Sequence, residues 1–199
     1  MSWVNVRKIT RTSDVQAVAV TSDNDLVARV LARQDRAAFG ELVKRHQSQV
    51  RNFLQKLTGE TSTSDDLAQD TFVHAWERLA GYQARGTFIG WLLKIAYTRF
   101  LQLRRRTNRY DEILDAAAHE SIGETHKDAE TTDLDRFMAL LTINERAVMT
   151  LCYAVGMSHR EASEILGIPV GTVKTTIMRS KERIRGHFSI GCDQEDCRE

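Results

Sequence analysis

Residues 156–188, GMSHREASEILGIPVGTVKTTIMRSKERIRGHF, leave this part of the chain few ways to fold. Ser158 followed by Glu161 has the spacing of a capping box, in which each side chain satisfies a backbone amide of the other at a helix start. Ala162, Ile165 and Leu166 then share one helical face, and Gly167 tolerates the left-handed turn that ends it. Pro169 suits the first turn of a second helix, where its missing N–H costs no hydrogen bond. That helix is predicted to carry Val170, Val173, Ile177 and Ile184 inward. Its other faces hold Thr172, Lys174, Thr175, Thr176, Arg179, Lys181, Arg183 and Arg185, with Glu182 the only acid. Ser163 and Gly167 are small enough for the two helices to approach closely, as a helix-turn-helix requires. A basic second helix after such a turn is fit to enter a major groove with its N-terminal residues toward base edges. The same pattern also describes an αα-hairpin with a solvated basic face, and spacing alone leaves both open.

The rest of the chain bears on that choice through its charge. The formal net charge is only +1 over 199 residues, but it hides a separation. Residues 94–109 contain six basic side chains and no acid, whereas residues 110–135 contain nine acids and the single Lys127. No apolar run reaches transmembrane length, and residues 17–20 are too short for a signal-peptide core, so a cytoplasmic protein without membrane insertion is expected. Three cysteines make no disulfide framework, and reduced thiols are expected.

Taken in order, residues 1–21 lack periodicity and read as a flexible extension. Helical patterning begins after Ser22, with Leu26, Val27, Val30 and Leu31 on one face. A second helix runs from Arg36 to near Gly59, with Phe39, Leu42, Val43, Val50, Phe53, Leu54 and Leu57 inward. Ser64 or Asp65 is expected to cap a third, which buries Leu67, Ala68, Phe72, Ala75, Trp76 and Leu79. Its opposite stripe holds Asp66, Gln69, Asp70, His74 and Glu77, the pattern of a solvated acidic face. After the loop GYQARGT comes a fourth helix, from Phe88 to about Arg106. Phe88, Leu92, Ile95, Ala96 and Leu103 form its buried stripe, while Lys94, Thr98, Gln102, Arg105 and Arg109 line another face. Trp91, Tyr97 and Phe100 lie nearby. Cations interleaved with rings suit opened nucleic acid, although Trp91 and Phe100 fit the core equally well. Residues 107–132 read as an acidic linker with a short helix at 112–119. Patterning resumes over 134–141 and 144–155. Strand signals are nearly absent, so the expected fold is all-α in two small helical domains, 22–106 and 133–188, with a flexible tail at 189–199.

Three stretches in this order, DDLAQDTFVHAWERL, GTFIGWLLKIAYTRFLQLRRR and LLTINERAVMTLCYAVGMSHREASEILGIPVGTVKTTIMRSKERIR, resemble a bacterial RNA polymerase sigma factor. The two-domain layout is similar to the extracytoplasmic-function (ECF) group, which keeps regions two and four. The resemblance implies a protein that binds core RNA polymerase, directs it to promoters and helps melt the minus-ten element. It places the polymerase contact, on the β′ clamp helices, at Asp66, Gln69, Asp70 and Glu77. The β subunit, promoter DNA and an anti-sigma factor are further implied partners. Minus-ten DNA falls to Tyr82, Arg85, Lys94, Thr98, Gln102, Arg105 and Arg106. Minus-35 DNA falls to Val170, Gly171, Thr172, Lys174, Thr175 and Arg179. The linker resembles a segment that threads toward the polymerase channels.

Three departures bear on specificity. Tyr97-Thr98 stand where the family often has Arg-Asn after the Ile-Ala step, Thr175-Thr176 replace the usual Ser-Arg, and Thr142-Ile143 replace the usual prolines. The promoter sequence is therefore not carried over. A rival reading is a helix-turn-helix regulator with an N-terminal ligand- or partner-sensing domain. An enzyme is not expected, since no phosphate-binding glycine loop, HExxH or nucleophile–base pair occurs. No cofactor or metal is expected either. His187, Cys192 and Cys197 fit no common zinc spacing, and Cys152 lies on an apolar face.

Overall fold

Four helix starts among the described residues are capped by small oxygen-bearing side chains, Ser22, Asp35, Thr142 and Ser158, and several ends are marked by left-handed residues. The computed structural model describes residues 21–115 and 133–192, with side chains over 21–108 and 136–187. Residues 1–20 of the expected extension, 116–132 of the acidic linker and 193–199 of the tail lie outside the described residues, as do the side chains of Arg109 and Cys192. Every element among the described residues is helical, and the all-α expectation holds.

Helix α1, Asp23–Arg33, opens on a capping box between Ser22 and Asp25 and ends at Gln34, held at φ 50°. Helix α2, Arg36–Thr58, is capped by the Asp35 carboxylate, which accepts from the Ala38 amide at 3.0 Å. It ends on Gly59 at φ 75°, where expected. His46 on α2 is buried, its Nε2 2.8 Å from Asp23 Oδ2, so the start of α1 is pinned to the middle of α2.

Helix α3, Thr61–Arg78, begins earlier than the expected cap at Ser64 or Asp65. Ser64 is instead fully buried inside the helix, donating to Thr61 O at 2.8 Å and lying 3.0 Å from Gln55 Oε1 of α2. Glu60 takes the cap position, and its carboxylate accepts from the hydroxyls of Ser62 and Thr63. A 3-10 turn, Leu79–Gly81, leads into the loop before α4, Phe88–Asp115. Helix α4 outruns its expected end near Arg106, because residues 107–115 contain no glycine or proline to stop it.

Helices α5, Asp133–Ala139, and α6, Ile143–Met149, follow, and α6 passes into a π-type turn, Thr150–Ala154. Thr142, one of the residues standing in for proline, caps α6 through a capping box with Glu145. Helix α7, His159–Leu166, carries the Ser158–Glu161 capping box and ends on Gly167 at φ 68°, a conformation that a Cβ would strain. Helix α8, Val170–Cys192, runs into the expected tail.

Helices α1–α4 bury Leu42, Phe53 and Leu54 of α2 and Leu92, Leu93 and Ala96 of α4 almost completely. Each such leucine contributes roughly 1.5–3 kcal/mol through removal from water. The second cluster is built on Val148 and Leu151, with Ala162 and Ile165 of α7 and Val173 and Ile177 of α8. Helix α7 packs on α4 and α6 on α2, so the two cores meet. Three residues expected inward lie at the rim: Leu31 (48% exposed), Trp76 (37%) and Val170 (37%). The Trp76 ring stands edge-on to Phe39 at 5.0 Å.

Candidate nucleic-acid and partner interfaces

Three surfaces collect the residues singled out by sequence, and each is positioned by a different helix. On α3, Asp66, Gln69 and Glu77 are exposed. Val73, 56% exposed, lies among them at helical spacing, with Trp76 at the edge. Asp70 is turned aside: Arg99 Nε of α4 donates to its Oδ2 at 2.6 Å. His74 Nδ1 lies 3.1 Å from Glu77 Oε2. Periodicity had no means of finding Val73, since an apolar side chain off the buried stripe looks like noise until its neighbours are known.

The second surface lies between the loop at 81–87 and α4. Ala84 at φ 52° and Gly86 at φ 121° fold the loop tightly and leave Arg85 exposed. Tyr82 packs its ring against Phe88 (5.4 Å) and Trp91 (5.3 Å), and its hydroxyl lies 3.4 Å from Asn24 Oδ1 and Gly86 O. Burial, and secondarily the Asp23 charge, raise the Tyr82 pKa above the usual phenol value, so the ring stays neutral. Along α4, Lys94, Thr98, Gln102, Arg105 and Arg106 are all exposed. Lys94, Thr98 and Gln102 line a hollow of about 550 Å³ together with Trp91, Arg78 and Arg99. Arg78 reaches it from the end of α3, which the periodicity of α4 does not report, and Arg99 lies on α4 itself, held there by Asp70. Thr98 Oγ1 donates to Lys94 O at 2.8 Å, and Gln102 Oε1 accepts from Arg99 at 2.8 Å. Tyr97 and Phe100 are buried and belong to the core, while Trp91 is half-buried at the hollow's wall.

The third surface is the start of α8. Val173, Ile177 and Ser180 face the core, which turns Gly171, Thr172, Lys174, Thr175 and Arg179 outward. The Thr175 hydroxyl lies 3.1 Å from Gly171 O and 3.0 Å from Thr172 O, so its proton is shared with the helix backbone. Lys174 and Arg179 make no ion pair among the described residues. Two other cations expected on the free face are engaged. Lys181 sits over the Tyr153 ring, 5.0 Å from its centre, and Arg183 Nη1 lies 3.4 Å from Glu145 Oε2 of α6. The half-buried Cys152 has its thiol pKa pushed up by burial, which suppresses the thiolate.

Comparison with known proteins bears on all three surfaces. Residues 42–110 match the family model for Sigma-70 region 2, and residues 131–184 match that for Sigma-70, region 4. The chain is 30% identical over 171 residues to the ECF RNA polymerase sigma factor SigE of Mycolicibacterium smegmatis, a match covering 79% of this chain and 65% of that relative. It is 30% identical over 173 residues to the RNA polymerase sigma factor NccH of Alcaligenes xylosoxydans xylosoxydans, covering 82% of this chain and 93% of that one. Among solved structures, CnrH in complex with the cytosolic domain of CnrY is 26% identical, with a TM-score of 0.63 over 84% of this chain and 97% of that chain. The sigma factor RpoE in complex with the anti-sigma factor NepR from Bartonella quintana shares the fold, with 24% identity and a TM-score of 0.64 over 76% of this chain and 97% of that one. The rival reading of a sensing N-terminal domain is set aside by the region 2 match. Sigma factors are non-catalytic components of transcription, and no helix among the described residues is long and apolar enough to cross a membrane. The chain belongs to the RNA polymerase sigma factors of the ECF group, with sigma regions 2 and 4 in that order.

Proposed function

We propose that the chain uses its three surfaces on three different targets. The exposed face of α3, with Asp66, Gln69, Glu77 and the apolar Val73, docks on core RNA polymerase at the β′ clamp helices, with the β subunit a further partner. The loop at 81–87 with Tyr82 and Arg85, and the α4 face from Lys94 to Arg106, take the opened minus-ten element. The first turns of α8, Val170 to Arg179, take duplex minus-35 DNA. An anti-sigma factor regulates the chain by covering one or more of these faces.

The observation that carries this reading is the hollow beside α4. It sets Lys94 and Arg78 beside the Trp91 ring and the polar tips of Thr98 and Gln102, with Arg99 held at its wall by Asp70. Cations neutralise phosphates and a ring offers an unstacked base a platform, whereas duplex DNA has no splayed base to place there. The deciding experiment is reconstitution with core polymerase on candidate promoters, followed by permanganate probing of thymines in the minus-ten element. Promoter opening that depends on the chain is expected. A chain that fails to displace another sigma factor from core polymerase sinks the proposal.

A further inference from the structure

A series of rings connects the middle of α2 to the wall of the hollow beside α4. The His46 imidazole lies 5.5 Å from Phe88, and Phe88 lies 5.4 Å from Tyr82 and 5.6 Å from Trp91. Tyr82 in turn lies 5.3 Å from Trp91. At such separations rings fix one another's orientation. The series ends at Trp91, half-buried at the hollow, and starts at His46, which is buried against α1. We propose that Asp23 and His46, neither of which lines the hollow, are positioning residues for the minus-ten surface. The Asp23 carboxylate fixes the imidazole, and the fixed imidazole sets Phe88, Tyr82 and Trp91 for an unstacked base. The inference rests on reading the loop at 81–87 and α4 as that surface.

The imidazole has one polar anchor. A carboxylate only accepts, so Nε2 carries the hydrogen that bridges the 2.8 Å to Asp23 Oδ2. Nδ1 is buried with no hydrogen-bond partner among the described residues. The carboxylate is itself fixed through its other oxygen. Arg45 Nη1 donates to Asp23 Oδ1 at 3.3 Å and to Thr21 O at 2.6 Å, and Arg45 Nε donates to Glu41 Oε1 at 3.2 Å. Helix α1 meets the series a second time at the next residue, where Asn24 Oδ1 lies 3.4 Å from the Tyr82 hydroxyl. Asp23 is also near enough to Tyr82 for its charge to add to the burial that raises the phenol pKa. A recognition surface made of rings is only as precise as the neighbours that lock their rotamers, and here those neighbours are the start of α1 and the middle of α2.

The test assembles holoenzyme from the full chain and reads permanganate reactivity of minus-ten thymines beside competition for core polymerase. D23A and H46L should each reduce promoter opening about two- to ten-fold, the worth of one aromatic pair, while competing for core polymerase as the parent does. Because the two residues act in one series, D23A/H46L should lose no more than H46L alone. D23N keeps an acceptor for Nε2 and should recover most of the opening lost in D23A. The chain has three tryptophans, so W3F/W76F leaves Trp91 as the single emitter. In that background D23A and H46L should shift the Trp91 emission to the red and make it easier to quench with acrylamide. L57V, in the core near the end of α2, controls for stability alone: it should lower Tm without changing opening or Trp91 emission. Unchanged Trp91 emission in D23A and H46L overturns the proposal. So does an additive loss of opening in the double variant, or a loss in L57V equal to theirs. The underlying reading fails separately: holoenzyme carrying W91A would then open promoters as the parent does.

Discussion

Asp70 on α3 and Arg99 on α4 are joined across the helix pair, Nε to Oδ2 at 2.6 Å, and Arg99 Nη1 also donates to Gln102 Oε1 at 2.8 Å. The acidic stripe of α3 is thus two things at once. Asp66, Gln69 and Glu77 face outward, while Asp70 buttresses the helix that lines the neighbouring hollow. Its ion pair is partly exposed, so its worth is at the upper end of a surface pair rather than that of a buried one.

The two roles separate by substitution. D66A/E77A should weaken competition for core polymerase about two- to ten-fold with an unchanged Tm, because exposed charges off the core contribute little to folding. D70A should lower Tm by roughly 2–4 °C, the shift for about 1 kcal/mol in a chain of this size. Val73→Asp, on the exposed face, should weaken core binding without a loss of Tm. Competition assays beside thermal melts check this, and equal Tm losses in all three variants would contradict it.

The Ser158–Glu161 box gives a prediction in pH. The Ser158 hydroxyl first, and its amide second, hold the Glu161 pKa below its ordinary 4.5. A depressed carboxylate contributes stability that is complete above the unfolded value and is lost as pH falls through the folded one. Ser158→Ala should therefore cost about 1 kcal/mol near neutrality. The gap in stability between parent and variant should stay constant from pH 7 to about 5 and narrow below 4.5. Thermal melts across that range test the sign; a gap that widens in acid refutes it.

The parts of this fold legible in sequence are those governed by local rules. Ser22, Gly59, Ser158 and Gly167 stand at helix boundaries because capping and left-handed turns depend on a few adjacent residues. What escaped depends on the neighbouring helix. Ser64 looked like a cap until α2 supplied Gln55 as its partner, and Trp76 and Val170 sit at stripe edges where the packing angle decides exposure. Asp70 and Arg99 are 29 residues apart, a separation no periodicity reports. The same holds for the hollow by α4, whose Arg78 and Arg99 arrive from different elements.

The two surfaces proposed to take DNA should fail in different ways. Lys174→Ala or Arg179→Ala should reduce affinity for duplex minus-35 DNA, with the slope of log affinity against log salt smaller by about one for a lost phosphate contact. Substitutions at Thr98, Gln102 or Arg105 should leave duplex binding near normal and reduce permanganate reactivity of minus-ten thymines in the holoenzyme. One shared defect from both sets would remove the division of labour.

The last prediction concerns reach. In promoters read by the family, the two elements lie roughly one and a half to two turns apart, about 50–70 Å at ~34 Å per turn. Helix α4 continues to Asp115 and α5 begins at Asp133, so 17 residues lie between them. Fully extended, a segment of that length spans only about 60 Å. As a flexible chain it would have a root-mean-square span near 20–25 Å, at ~5–6 Å times the square root of its length. Spanning both elements would stretch it close to its limit, and the effective concentration of the second surface at its site would be low. The packing of α7 on α4 opposes that extension further. The isolated chain should therefore bind promoter DNA weakly and protect one element at most. Core polymerase, by holding the two clusters apart on its own surface, should bring protection of both. Footprinting with and without polymerase decides this: protection of both elements by the chain alone, at nanomolar concentration and physiological salt, is the result that contradicts it.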